Sequence, residues 1–578
     1  MKRYWKYIKP YLPAFIVGPL LMIVEVFGEI VLPKLMSLII NNGIVNRDVA
    51  YIVRIGICMI ACAIFMAIGG VGGAYFGAKA SINFAADLRK DAFANVQRFS
   101  FKNIDSFSTG SLVTRLTNDV TQVMNFVNQL LRMTLRAPGM LIGAVIMAFT
   151  INSKLALIII IVIPILVATI VFVISKAFPR FQALQKKIDN LNSVTREAIT
   201  NVRVIKSFVR DDHEHVKFEE SNEALKEASL SAFKVMIVSF PLMGLFMNVT
   251  TLAVVWFGGK QILVGDMQVG DLTAFVTYVT QILMSLMMTS IMILQSSRAI
   301  ASARRINEVI DCETDIDDAN AAMPEKTVEK GSVEFKDITF RYYKDSKEAV
   351  LDHVSLKIAS GETVGIIGST GSGKTTLVQM IPRLYDVDEG EVLVDGVNVK
   401  DYALKNLREG VSMVLQKNLL FSGSIMENLK WGDEEATEEE IRRVAEMAQA
   451  DGFVTSFEDG YETDLGQGGV NVSGGQKQRL CIARAMLKKP KILILDDSTS
   501  AVDTATERYI RENLKSYMPE TTKIIIAQRI SSVIEADKIV VLDDGKVVGE
   551  GTHDELMATC EAYKEIYYSQ MDKKEVGA

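Results

Sequence analysis

Cysteine is scarce in this sequence. Five occur in 578 residues (Cys58, Cys62, Cys312, Cys481 and Cys560), and none has the spacing of a metal-ligand cluster. Cys58 and Cys62 lie one helical turn apart inside an apolar run, which is packing chemistry rather than metal chemistry. So sparse a set excludes a disulfide framework and fits the reducing side of a membrane. An excess of positive charge is also missing. Lys and Arg number 63 against 69 Asp and Glu, a formal net charge of −6, so nothing argues for nucleic acid as a partner. What the chain has in quantity is apolar: 49% of its residues are hydrophobic. That share points to a large membrane-embedded part.

Six apolar segments are predicted to span a membrane, at about 14–40, 53–77, 128–152, 154–176, 234–258 and 272–297. Each reaches across a hydrocarbon core of about 30 Å, for which roughly 20 helical residues suffice. Short loops join segments 1 and 2, 3 and 4, and 5 and 6. By contrast, Lys79–Leu130 and Phe178–Phe233 are long, charged and helix-forming, so they project well beyond the bilayer. Their Lys and Arg content places them, with both termini, on the cytoplasmic side. At the start, Tyr4, Tyr7 and Tyr11 share one helical face among Lys2, Arg3, Lys6 and Lys9, the pattern of a helix lying in the headgroup layer.

Glu25 and Glu29 sit one turn apart inside the first segment. Ionisable groups at that depth face a bundle interior or an aqueous cavity. They therefore line a cation-attracting cavity or bond a neighbouring helix. Lys34, nearer the segment's end, is expected to snorkel to the interface. Gly69 and Gly73 suit close helix packing. Met284, Met287, Met288 and Met292 are expected to fill core space rather than line a cavity.

Residues 1–310 thus form a membrane-spanning all-α domain of six helices with long intracellular helices. The acid-rich stretch 311–330, punctuated by Pro324, reads as a linker. From 331 to 578 short strands and helices alternate, an α/β domain. Within it, Gly368, Thr370, Gly371, Ser372, Gly373, Lys374, Thr375 and Thr376 fit a phosphate-binding loop, with a strand before and a helix after. The glycines let backbone N–H groups turn toward phosphate oxygens, Lys374 reaches the terminal phosphates, and Thr375 can hold Mg²⁺. Ser473, Gly474, Gly475 and Gln476 open a helix-like run and make a second phosphate-binding surface. Ile492–Asp496 reads as a buried strand ending in the adjacent carboxylates Asp496 and Asp497, where such sheets bind ligands.

These motifs, in this order, resemble those of the ATP-binding cassette (ABC) exporters, and the resemblance covers nearly the whole chain. It implies an α/β P-loop ABC-type nucleotide-binding domain fused to the six helices, with ATP and Mg²⁺ bound. Two subunits dimerise, each ATP lying between one phosphate loop and the other subunit's signature. By the same resemblance Tyr342 stacks on adenine, and Gln416 contacts Mg²⁺ and senses the γ-phosphate. Ser473–Gln476 form the signature acting on the partner's site, and Asp496 coordinates Mg²⁺ with Thr375. Ser500–Asp503 cross between the two sites. Coupling helices lie near Lys102–Ser108 and Ala198–Phe208.

The chain departs from the family pattern in one place that matters. Asp497 stands where the family usually has the glutamate that orients the attacking water. It has one methylene less reach. Gln528, in Ile524-Ile-Ile-Ala-Gln528-Arg529, replaces the switch histidine. Glutamine donates a hydrogen bond but cannot become a cation or shuttle a proton. Gln467 stands where the family commonly has glutamate. Asp497 with Gln528 resembles the degenerate half of bacterial heterodimeric multidrug exporters. The expectation is therefore a heterodimer with a second half-transporter in the cytoplasmic membrane, moving small amphipathic drugs or lipids outward. Two rivals remain: a homodimeric lipid or drug flippase with slow symmetric hydrolysis, and an ATP-gated regulatory or channel-like subunit.

Overall fold

The computed structural model describes residues 2–343, 346, 348–497 and 502–575. They form two compact units, one of Met1–Gln97 with Thr109–Cys312, the other of Arg98–Ser108 with Glu313–Ala578.

The first unit is built from long helices: Leu12–Leu38, Val49–Val96, a segmented run over Thr109–Ile151, Ser153–Thr200, Asp211–Val264 and Val269–Ile310. Among the described residues, five helical stretches are long and apolar enough to cross a membrane, and the fifth predicted segment lies within Asp211–Val264. The ends follow from local chemistry. Asp48 caps the second helix through Tyr51 N–H at 2.9 Å. Asn152 leaves the helical region and accepts from the N–H groups of Lys154 and Leu155 at 3.0 and 3.1 Å, so the third helix turns into the fourth within one residue. Gly265, at φ 85°, ends the fifth.

Glycine sets how closely the first two helices approach. A Cβ on Gly69 would lie 2.9 Å from the Leu21 carbonyl oxygen, and one on Gly73 would lie 3.1 Å from that of Gly18. Both positions must lack a side chain for the helices to touch.

Three expectations for this unit need correction. The N-terminal tyrosines are not free for a headgroup layer. Their hydroxyls donate to Asn307, Asp91 and Asp87, each at 3.0 Å, because a phenol packed against a helix needs a polar partner. Lys34 does not snorkel alone; it pairs with Asp271 at 3.2 Å, which also accepts from Ser37. Met284 is 48% exposed rather than core.

The second unit has two sheets. Strands β1 (Val333–Phe340), β2 (Leu351–Ile358), β4 (Glu389–Val394) and β5 (Val397–Asn398) form an antiparallel sheet in the order β2-β1-β4-β5. The other sheet contains β3 (Thr363–Gly368), β6 (Val411–Val414), β7 (Ile492–Asp496), β8 (Thr522–Ile526), β9 (Lys538–Asp543) and β10 (Lys546–Gly551), ordered β10-β9-β3-β8-β7-β6 and parallel except at β10. β7 and β8 are buried along their whole length, the pattern of strands covered on both faces. β3 and β7 flank β8, so the phosphate loop after β3 and the carboxylates after β7 emerge at the same sheet edge.

Most of the predicted linker packs on this second unit. Met323 bridges to Tyr402, and Asn406 donates to the Pro324 carbonyl at 2.8 Å. Asp395 accepts from the N–H groups of Glu329, Lys330 and Ser332 at 2.8, 2.9 and 2.9 Å. Arg98–Ser108 also clusters here. Ser100 and Asn103 cap one another to start the short helix Phe101–Ser106. Asp105 in that helix accepts from the Tyr385 hydroxyl at 2.6 Å, and Phe101 meets the Tyr385 ring edge-on.

Candidate nucleotide site

The phosphate loop turns at Gly371 and Gly373, both at φ 90°, a region open to glycine and costly for most residues. Lys374 then starts the helix Lys374–Gln379. Its Nζ donates to the carbonyls of Gly368 and Ser369 at 3.0 and 2.6 Å and to Ser372 Oγ at 3.3 Å. Burial pulls the Lys374 ammonium down from its ordinary value, against the pull of Asp496 and Asp497. Thr376 shares a hydrogen bond of 2.9 Å with the Tyr342 hydroxyl. The Tyr342 ring meets Tyr385 edge-on at 5.3 Å and Phe340 at 5.0 Å.

Thr375 Oγ1 donates to Asp496 Oδ1 at 3.0 Å. A hydroxyl and a carboxylate converging at a strand end are oxygen donors that suit a hard divalent cation. Mg²⁺ bound there by Thr375 and Asp496 would neutralise charge on the nucleotide's phosphate oxygens. Burial raises the Asp496 carboxyl, partly offset by the Thr375 hydroxyl.

Asp497 follows directly, 9% exposed and in the left-handed region at φ 47°, a conformation for which Asp is among the better residues. Its Oδ2 accepts from Gln528 Nε2 at 2.8 Å and more loosely from Gln416 Nε2 at 3.5 Å. Burial raises this carboxyl too, and the two glutamines oppose the rise. Three side chains singled out in the sequence therefore meet: Asp497, Gln528 and Gln416.

The signature is placed elsewhere. Ser473 caps the helix Gly474–Leu487, and Gln476 reciprocates by accepting from Ser473 N–H at 2.8 Å. Ser473 and Gly474 are exposed, and no hydrogen bond among the described residues joins them to the phosphate loop. Gln467 lies in the loop before this helix. Ser500 and Ala501 fall outside the described residues, while Asp503 caps the helix Thr504–Tyr517 through Thr506 N–H at 3.0 Å.

Two residues of the site were not singled out in the sequence. Gln478 is buried and donates to the Asp497 carbonyl at 3.4 Å, tying the signature helix to the carboxylate pair. Its only sequence signal is a polar residue at a core position of that helix. Tyr385, packed between Tyr342 and Asp105, carries no local signal at all.

Comparison with known proteins decides the family. A family described as ABC transporter transmembrane region matches residues 15–286, and one described as ABC transporter matches residues 351–500. An uncharacterised ABC transporter ATP-binding protein of Bacillus subtilis, YfiB, is 38% identical over 574 residues, 99% of each chain. The chain belongs to the ABC transporter family. A putative multidrug export ATP-binding/permease protein of the same organism, YgaD, is 35% identical over 99% of each chain. An ATP-dependent lipid A-core flippase of Desulfotalea psychrophila is 34% identical over 84% of each. The fold of this ABC transporter matches that of a bacterial Atm1-family ABC exporter with ATP bound, at TM-score 0.79 and 23% identity over 97% of this chain and 98% of that one. The chain is an ABC-type transporter ATPase whose helical membrane domain and α/β ATP-binding domain are fused.

Proposed function

We propose that this chain is one half of a heterodimeric exporter, and that the ATP site on its own phosphate loop retains nucleotide more than it hydrolyses it. The observation that carries the reading is the bond from Gln528 Nε2 to Asp497 Oδ2 at 2.8 Å. Two of the three residues that depart from the family pattern, Asp497 and Gln528, are bonded to each other. The acceptor oxygen that would orient an attacking water is instead held by an amide. Shortening Glu to Asp withdraws the carboxylate by about an ångström, and a misplacement of that order costs roughly a hundredfold in rate. The intact signature Ser473–Gln476 then completes a competent site on the partner's phosphate loop.

In this reading residues 1–310 span the cytoplasmic membrane and residues 331–578 bind ATP and Mg²⁺ in the cytoplasm. Tyr342 faces adenine, Gln416 senses the γ-phosphate, and the short helices Phe101–Ser106 and Val202–Ser207 are the coupling helices. The second of these ends in Phe208 and Val209, which are 73% and 83% exposed, an apolar tip of the kind that seats on another surface. The cargo is an amphipathic drug or lipid, following the multidrug exporter and the flippase among the relatives. A second reading is a homodimeric lipid or drug flippase with slow symmetric hydrolysis, which the carboxylate retained at Asp497 supports. Purification of the chain alone and with its partner separates them. Steady hydrolysis only in the pair is expected, and vigorous turnover by the chain alone would sink the heterodimer.

A further inference from the structure

The carboxylates Glu25 and Glu29 do not form a cation-attracting wall by themselves. Arg136 Nη2 reaches Glu29 Oε1 at 2.7 Å and Glu25 Oε1 at 3.3 Å, so one guanidinium already bridges both. The second arginine, Arg132, makes no hydrogen bond or ion pair among the described residues. Asn128, Arg132 and Arg136 recur every four residues along the third helix, which is interrupted at Thr134–Leu135. Gln281, from the sixth helix, donates to the Glu29 carbonyl at 2.9 Å. Gly70 and Gly77 keep the second helix clear of the cluster. A Cβ on Gly70 would lie 3.2 Å from the Glu25 carboxyl, and one on Gly77 would lie 3.4 Å from Asn128 Oδ1.

The unpartnered atoms concentrate here. Glu25 Oε2, Glu29 Oε2, Asn128 Oδ1, Gln281 Oε1, Arg132 Nε and Arg136 Nε are all buried and lack a hydrogen-bond partner. A buried polar atom without a partner is costly, and a charged one more so. Six of them gathered from three helices in membrane-spanning segments mark a site where another molecule completes the bonding. The set has a definite chemistry: four acceptors, two of them carboxylate oxygens, beside two cationic N–H donors. A bare cation leaves the arginines unmet, and a bare anion leaves the acceptors unmet.

We propose that this cluster binds the headgroup of a zwitterionic amphiphile that carries a primary ammonium together with a phosphate or carboxylate. The ammonium's three N–H groups donate to Glu25, Glu29 and one of the amide oxygens of Asn128 and Gln281, and the anion accepts from Arg132 and Arg136. The primary amine is required, since a quaternary ammonium has no N–H to give these acceptors. The inference names a cargo class and rests on the reading that the chain transports amphiphiles.

The test is binding rather than turnover, so it stands apart from which site hydrolyses ATP. The full chain with its partner, in nanodiscs, is titrated with short-chain phosphoethanolamine and phosphocholine amphiphiles of equal chain length. Binding of the ethanolamine form at least about tenfold tighter is expected, as for a site whose polar groups the analogue leaves unpaired. Arg132→Gln and Glu25→Gln should each remove most of that preference while fluorescent ATP still binds. Equal binding of both headgroups, or an ethanolamine preference untouched by either substitution, would overturn the proposal. If the cluster holds water only, neither amphiphile competes for it, and that also overturns it. Should Arg132→Gln fail to assemble, Arg132→Lys keeps the charge without the fork and is expected to weaken binding less.

Discussion

Gln528 donates from its side-chain amide to Oδ2 of Asp497 at 2.8 Å, across the gap between the ends of β8 and β7. Asp497 also keeps its main-chain N–H on the Ile526 carbonyl at 3.0 Å. The carboxylate is therefore fixed at both backbone and side chain. Such a group is well held for binding and poorly placed to follow a moving water.

Restoring the family residues at these two positions is the direct test of that link. Asp497→Glu with Gln528→His should raise hydrolysis at this site by at least about tenfold, part of the roughly hundredfold that a one-ångström misplacement costs. Single-turnover assays with the partner's site blocked measure it. No rise in the double variant would move the lesion elsewhere.

Tyr385 offers a second test, on coupling. Its hydroxyl donates to the Asp105 carboxylate at 2.6 Å while its ring packs on Tyr342. Burial, and then Asp105, push the phenol well above its ordinary value, so it stays a donor at any working pH. A hydrogen bond to a charged group contributes about 1.5–3 kcal/mol. Tyr385→Phe is expected to leave ATP binding within about twofold and to lower transport per ATP hydrolysed by about tenfold, the equivalent of 1.4 kcal/mol. Equal loss of both would make the contact merely structural.

Asp395 predicts an acid-sensitive element. Burial alone would raise its carboxyl, but the N–H groups of Lys330, Glu329 and Ser332 outweigh burial and hold it below the ordinary 3.8. A depressed folded value means the stabilisation is complete above the unfolded value and fades as pH falls through the folded one. Asp395→Asn should lower stability by about 1–3 kcal/mol at neutral pH, with the difference shrinking below about pH 4. Calorimetry of the full chain at pH 7 and at acid pH checks both.

Helix packing gives the fourth expectation. Gly69→Val places methyl groups against the Leu21 backbone, where even a Cβ stands at 2.9 Å. Overpacking of this kind costs about 1–3 kcal/mol or more. Lower yield and a lower melting temperature in detergent are expected, whereas Gly56→Ala, with nothing within 4 Å, should be neutral.

The legible parts of this molecule were those written in local chemistry. Gly371, Gly373 and Lys374 identify a phosphate loop because only such residues make that turn. Ile492–Asp497 announces a core strand ending in acids, because a strand buried on both faces has no polar alternation. What escaped the sequence depends on partners distant along the chain. Glu25 and Glu29 suit either a cavity wall or a bond to a neighbouring helix by sequence alone, and it is Arg136, 107 residues after Glu29, that makes the second contact. The family resemblance already implies a coupling helix near Lys102–Ser108 and Arg98–Ser108 does cluster with the second unit, but nothing local to Asp105 names its partner Tyr385, 280 residues later. The N-terminal tyrosines look interfacial by pattern, and only the fold shows the amide of Asn307 and the carboxylates of Asp91 and Asp87 that take their hydroxyls.

ATP on this chain's own phosphate loop is retained rather than cleaved in the proposed heterodimer. The most direct measurement is the nucleotide retained by the purified pair after a brief chase with unlabelled Mg-ATP, with the two sites distinguished by photo-crosslinking near Tyr342. Uncleaved ATP on this chain and ADP on its partner are expected. ADP formed at equal rates on both chains would contradict that retention.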